Sequence, residues 1–377
     1  MPARAKSPQG GIFVTKRIKA LRKLGVNVIP IALNLKYSKI LSFLQKQRGF
    51  SGYSDIIKSQ EGVEYEVVDI PYTFIKAIRC NNHSELYEKL VYKKVSSLDY
   101  KKIDIIHLHW FWPYGLAIKK IAKEYKIPYV ITCHGSEINV LMKNQKYRKK
   151  MLNILENASL VEFVSTALKD KAIEFGYSGK NGIVNHNGID TDIFYLKRVT
   201  KEKPVIGYVG NMISIKGADR LPNIFRGIYE SYGNEVNFVM VGQGDLSATI
   251  LEKMKGLPVD YKGQIDQKEL ASVYNSMDVL VVPSRSEGYP CVVNEAQACG
   301  VLVVGNDVGG VKEAIGDLGI VVSGDSEEEI CSRIVEKTVD IISKDNNIKE
   351  LADKALQFSW YNYQKDTIKY YNSIISN

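Results

Sequence analysis

The feature that most constrains the fold is a recurring alternation. Short, mainly apolar runs occur at Val26–Leu33, Ile103–His109, Tyr129–Cys133, Leu160–Val164, Val205–Val209, Val236–Val241, Val279–Pro283 and Val301–Val304. Several are apolar without a break, as strands are when both faces of their sheet are covered. Amphipathic stretches lie between them. In Val14–Leu24 the residues Val14, Ile18 and Leu21 share one helical face, and Lys268–Met277 is a second such stretch. Strand–helix alternation of this kind predicts an α/β chain with doubly wound parallel sheets.

The chain has 377 residues, which at roughly 100–200 residues per domain implies two. The pattern restarts after the charged segment Leu196–Pro204, so the expected domains are 1–198 and 199–359. A doubly wound domain normally opens on a buried strand feeding a glycine-rich loop. Here the Gly10-Gly11 loop comes at once, after MPARAKSPQ, which is not strand-like. Either a short, poor strand sits there or the first strand is missing from this chain. No run approaches the roughly 20 apolar residues of a spanning helix, and no apolar stretch follows the N-terminal charges as a secretory signal requires. Five cysteines without a CxxC pair fit a reduced, cytosolic chain with no structural zinc. Net charge is +9 and unevenly spread: residues 1–150 hold 28 Lys+Arg against 11 Asp+Glu, and the remainder 23 against 31. A basic first half suits an anionic acceptor or the anionic surface of a membrane. Nucleic acid is the other usual partner of such charge and is not expected here. A solvated basic face without a partner is the plain alternative.

The segment Ser284–Gly300, SRSEGYPCVVNEAQACG, carries the most chemistry. An expected strand ends at Pro283 and a helix pattern starts near Pro290, where proline at the first helical position is favoured. Gly288 allows a tight turn before it. The helix start then presents free N–H groups at the strand's carboxyl edge, an anion site suited to a diphosphate. Glu287 lies just outside the helix and Glu295 in its second turn. Carboxylates so placed can accept from hydroxyls on either side of a diphosphate. A surface helix with acidic residues in its first turn is the plain alternative, but the combined pattern E-G-x-P-x4-E-A-x3-G is far more specific than either glutamate. Lys216, in the strand-to-helix loop Gly210–Gly217, can reach a diphosphate as a point charge. His134 follows a strand and precedes a glycine, also at a carboxyl edge.

Other features are weaker. His107 and His109 alternate on a strand and share a face, which could ligate a metal, but no third ligand lies near, so packing or acceptor contacts are expected. Trp110, Phe111, Trp112 and Tyr114 could line a sugar or lipid pocket or equally fold onto the core. Asp190-Thr191-Asp192 reads as turn chemistry rather than a metal-binding string. Gly242-Gln243-Gly244 lacks the third glycine and the acidic residue of an NAD site.

Taken together, these segments resemble glycosyltransferase family 4. The resemblance runs over nearly the whole chain and includes Gly10-Gly11, Thr132–Ser136, Asn187–Asp190, Gly210–Gly217, Gly242–Gly244, the pair Glu287 and Glu295, and Gly309-Gly310-Val311. It implies two Rossmann-like doubly wound parallel-sheet domains facing a cleft, the GT-B fold, with a C-terminal helix over 360–377 completing the first domain. It implies a retaining, metal-independent transfer of a hexose-type sugar from a nucleoside diphosphate, without a cofactor. Glu287 would contact the donor sugar, Glu295 the ribose, His134 the sugar and the reacting centre, and Lys216 the diphosphate. Gly10, Gly11, Asn211, Gln264, Gly288, Tyr289 and Pro290 complete the implied donor site. At Asn211 the family usually has an arginine, and asparagine cannot clamp phosphate bidentately. The implied acceptor is a lipid-linked or membrane-bound glycan at the cell envelope. A soluble enzyme acting on a small acceptor and a non-catalytic protein of the same fold remain the alternatives.

Overall fold

The computed structural model describes residues 10–37, 56–72, 83–197, 199, 201–344 and 347–376. The question of a strand before Gly10, and Cys80, lie outside the described residues. The chain divides into two compact units. One comprises Met1–Val164, Lys169–Asn185 and Tyr363–Asn377, the other Ser165–Leu168 and His186–Asn362. The main change of unit thus falls at Asn185/His186, ahead of the charged segment at 196–204.

In the first unit, helix α1 (Ile12–Lys23) precedes strand β1 (Ile31–Tyr37). The hairpin β2 (Ser59–Gln60) and β3 (Val63–Glu64) leads into β4 (Glu66–Tyr72), which pairs parallel with β1. The strand expected at Val26 begins only at Ile31, because Pro30 has no N–H for a ladder; its carbonyl instead accepts from Glu66 N at 2.9 Å. Helix α2 (His83–Val95) is followed by a four-stranded parallel sheet in sequential order, β5 (Ile106–His109), β6 (Tyr129–Cys133), β7 (Leu160–Phe163) and β8 (Gly182–Val184). Strand β5 starts later than Ile103, whose N–H closes a turn onto Tyr100 O. Helices α3 (Gly115–Tyr125), α4 (Ser136–Asn139), α5 (Gln145–Glu156) and α6 (Thr166–Glu174) lie along the connections.

A buried polar cluster ties this unit's separate chain segments. The guanidinium of Arg17, on α1, donates to Glu162 Oε2 at 2.5 Å, Thr132 Oγ1 at 2.9 Å, Gln364 Oε1 at 2.9 Å and Thr367 Oγ1 at 3.0 Å. Asn185 donates to Glu162 and Thr367. Both members of the Arg17–Glu162 pair are buried, so these hydrogen bonds replace the water each has lost.

The second unit is built on a six-stranded parallel sheet: β9 (Val205–Val209), β10 (Asn237–Val241), β11 (Val259–Gly263), β12 (Val279–Val282), β13 (Leu302–Asn306) and β14 (Gly319–Val322). The spatial order is β11-β10-β9-β12-β13-β14, so the winding reverses between β9 and β12. Helices α7 (Leu221–Tyr232), α8 (Ser247–Lys253), α9 (Gln267–Ser276), α10 (Cys291–Ala298), α11 (Val311–Ile315), α12 (Glu327–Ile342) and α13 (Ile348–Ala355) connect or follow the strands. Side chains of Ile206, Phe225, Phe238, Met240 and Val281 form its core. Helix α9 is capped by Asp266, and α12 by Ser326 with Glu329 three residues on. Helix α14 (Trp360–Ile375) starts in this unit and continues in the first from Tyr363.

Candidate active site

The sequence segments singled out in the second half gather at one edge of the six-stranded sheet. The loop Gly210–Gly217 follows β9, Gly242–Gly244 follows β10, Ser284–Pro290 follows β12, and Gly309-Gly310 follows β13. These strands are neighbours, so their carboxyl-terminal loops are neighbours too. Lys216 and Glu287 flank the reversal between β9 and β12, the place where open parallel sheets bind ligands.

Close backbone packing fixes these loops. Gly217 has φ +66°, and a Cβ there would lie 1.8 Å from Pro283 O. Gly309 has φ +52°, and its Cβ would lie 2.1 Å from Glu287 O. Only glycine fits either position. Lys216 is thereby brought to Glu287: its Nζ donates to Glu287 Oε2 at 2.6 Å, while Ser284 Oγ donates to Oε1 at 2.9 Å. The Glu287 side chain is 8% exposed and that of Lys216 32%, so the pair is reachable from one side only.

Helix α10 begins at Cys291, with Pro290 as the residue before it at φ −79°, ψ 98°. The helix thus starts near Pro290 as expected, but the proline's extended ψ makes it the cap and not the first helical residue. Glu295 lies in the second turn and accepts from Tyr274 Oη at 3.3 Å. Burial, then the Glu295 charge, drives the Tyr274 phenol well above its usual range, so it is a permanent donor. Burial also pushes the Cys291 thiol up to about 12, which leaves it unreactive at neutral pH. The Tyr289 ring stacks on His186 with centroids 4.6 Å apart. Asn211 and Gln264 are exposed on the loops after β9 and β11. The Asp190–Asp192 string is a turn, in which Asp192 N donates to Asp190 Oδ1 at 3.2 Å.

In the first unit Gly11 precedes α1 with φ +69° and Gly10 lies in the same turn. His134 follows β6. Its ring sits among Phe13 (4.6 Å), Trp110 (4.6 Å) and His109 (5.2 Å). His109 Nδ1 is 2.9 Å from His134 Nε2. Burial, with the neighbouring His109, holds the His134 imidazole well below its usual pKa, so it is neutral at physiological pH. Of the aromatic run, Phe111 is fully buried and Trp112 packs on Tyr147 at 5.3 Å.

Comparison with known proteins decides the identity. The family model described as Glycosyl transferases group 1 matches residues 203–340, and the one described as Glycosyltransferase Family 4 matches residues 54–193. The chain belongs to glycosyltransferase family 4. This family 4 glycosyltransferase is 28% identical over 331 residues to a protein named putative teichuronic acid biosynthesis glycosyltransferase TuaC of Bacillus subtilis, covering 82% of this chain and 79% of that one. It is 24% identical over 288 residues to an N-acetyl-alpha-D-glucosaminyl L-malate synthase of Bacillus anthracis, covering 71% and 73%. Its fold is GT-B. Sucrose-phosphate synthase from Thermosynechococcus elongatus superposes with a TM-score of 0.73 at 17% identity, over 97% of this chain and 93% of that one. HepE from Anabaena, solved in complex with UDP and glucose, gives 0.69 at 16% identity, over 97% and 96%.

Sequence reading of this glycosyltransferase missed the groups that hold the Lys216 loop. Arg220, 4% exposed, donates to both carboxylate oxygens of Glu327 (2.6 and 2.7 Å) and to Pro283 O at 2.7 Å. Arg285 forks onto Asp219 at 2.7 and 2.9 Å and reaches Ser214 O at 2.6 Å. Asp219, Arg220, Arg285 and Glu327 come from three separate segments, and no spacing rule connects them. Arg285 lay inside the best motif but reads there as an ordinary exposed cation.

Proposed function

We propose that this glycosyltransferase moves a hexose-type sugar from a nucleoside diphosphate to an acceptor hydroxyl, with retention at the anomeric carbon. The observation that carries this is the Lys216–Glu287 pair, 2.6 Å apart at the reversal of the sheet, beside the start of α10. A fixed cation and a row of helix N–H groups suit a departing diphosphate. A fixed, mostly buried carboxylate suits sugar hydroxyls. The UDP and glucose in the HepE structure accord with a nucleotide-sugar donor.

In the reaction, the bond from the anomeric carbon to the β-phosphate oxygen breaks as the acceptor oxygen bonds to the same face. The acceptor's proton passes to the departing phosphate oxygen, so the step balances without a protein nucleophile, a metal or a cofactor. Lys216 and the α10 N–H groups offset the charge developing on the phosphate. Glu287 and His134 hold sugar hydroxyls, and Glu295 holds the ribose. Gly10, Gly11, Asn211, Gln264, Gly288, Tyr289 and Pro290 shape the remaining donor contacts.

The acceptor in this reading is a lipid-linked or membrane-bound glycan of the cell envelope, approached at the cytoplasmic face by a peripheral enzyme. The naming of the Bacillus subtilis relative for teichuronic acid biosynthesis and the basic first 150 residues support it. Among the described residues no helix is long and apolar enough to cross a membrane. A small soluble acceptor is the second reading, favoured by the relative named for L-malate.

The test is a thermal-shift screen of nucleoside diphosphates and their sugars, followed by transfer assays. A cognate donor at 100 times its dissociation constant should add about 2.7 kcal/mol of stability. Transfer that survives Glu287→Ala and Glu295→Ala alike overturns the assigned site. Absence of salt-dependent binding to anionic liposomes overturns the membrane acceptor.

A further inference from the structure

The buried polar chain of the first unit fixes protonation states that bear on His134. The Thr132 hydroxyl has one hydrogen. It lies 2.7 Å from Glu162 Oε2, which can only accept, so the hydrogen goes there. Thr132 Oγ1 then accepts from Arg17 at 2.9 Å and from His107 Nε2 at 2.7 Å. His107 therefore carries its proton on Nε2, and its Nδ1 accepts from the Tyr371 hydroxyl. Burial keeps His107 neutral. Its ring stacks on that of His109 with centroids 4.7 Å apart and an interplanar angle of 13°, which holds His109 in plane.

His109 and His134 share one proton position across 2.9 Å, and both rings are neutral. Two arrangements are possible. If His109 donates, His134 must carry its hydrogen on Nδ1. That atom is buried and has no hydrogen-bond partner. A buried N–H without an acceptor is rare and costly, whereas a bare lone pair is tolerated better. If His134 donates through Nε2, its Nδ1 is that bare lone pair.

We infer that His109 is a positioning residue that sets the tautomer of His134, leaving His134 Nδ1 as an acceptor for a substrate hydroxyl. The inference rests on the reading above in which His134 faces a sugar. Phe13, Trp110 and His109 pack around the ring, and a flipped ring would put a carbon where Nε2 meets His109 Nδ1, losing that hydrogen bond. Trp110 is itself held at φ +53°, a conformation unfavourable for its side chain, as backbone at functional sites often is.

The experiment compares His109→Asn and His109→Leu with the wild type. The asparagine amide oxygen reaches the position of Nδ1 and can accept from His134 Nε2–H; leucine cannot. Outer partners that fix the tautomer of metal-bound imidazoles are worth about 10–100-fold in metal affinity or activity, and the same scale is taken for this pair. The leucine variant should lose about that much kcat with little change in donor KM, and the asparagine variant should recover most of it. Nitrogen NMR of the labelled imidazoles should show His134 protonated at Nε2 in the wild type and in the asparagine variant, and a tautomer mixture in the leucine variant. A wild-type His134 protonated at Nδ1, or equal losses in both folded variants, overturns the inference. The NMR readout needs no substrate, so it stands even if no nucleotide sugar is a donor; that outcome counts against the proposed reaction alone.

Discussion

At the scale of single residues, the Lys216 ammonium neutralises a carboxylate that has almost no access to water. Removing it leaves Glu287 with Ser284 alone as a hydrogen-bond partner among those described above. Lys216→Ala should therefore cost about 1–3 kcal/mol of stability, the penalty for a buried group stripped of its partner. It should also lower transfer about 10²–10³-fold, as loss of one preorganised charge does. Thermal melts and initial rates measure the two effects separately. Glu287 and Glu295 stand out in the sequence because glycine, proline and glutamate at fixed offsets leave few other readings, and Lys216 because it lies on a strand-to-helix loop. That Lys216 bonds Glu287 was not legible, since 71 residues separate them.

At the scale of elements, the site depends on how three loops are pinned to one another. Arg220, then Arg285, holds the Glu327 carboxyl at about 2, against an ordinary 4.5. A depressed carboxylate stabilises the fold above its unfolded value and ceases to do so as pH falls through its folded value. The stability gap between wild type and Glu327→Gln should thus be full at pH 7, shrink below about pH 4.5 and vanish near pH 2. Glu327 is half exposed, so the gap is small. Denaturant unfolding at pH 7, 4 and 3 would show it, and a gap that widens with acid would contradict the assignment. Sequence reading found every central strand, such as β12, buried at all four positions, together with β5 and the start of β1. It missed β2, β3, β4, β8, β11 and β14. These lie at sheet edges with partial or alternating burial, where no continuous apolar run is required.

At the scale of the whole molecule, the first unit is assembled from segments far apart in the chain. Removing residues 363–377 takes Gln364 and Thr367 from Arg17 and Tyr371 from His107. Calorimetry of a chain ending at Asn362 should show the first unit's transition lowered or lost and the second unit's nearly unchanged. If both move together, the two do not unfold as separate units. The strand–helix alternation was enough to read two parallel-sheet units from sequence. The path of the chain between them was not fully legible, because the Arg17 cluster joins residues up to 350 positions apart.

That path sets an order on the ribosome. The second unit has all its residues once Asn362 is made, but the first, though begun earlier, waits for Tyr363–Asn377. Until then its half-formed charge cluster is open to chaperones and proteases, at synthesis rates of about 5–20 residues per second for tens of seconds. The same path governs recombination between relatives. A chimera that exchanges the second unit must rejoin the recipient's own chain after Asn362, because a graft carried to the last residue replaces the side chains that close the first unit's core.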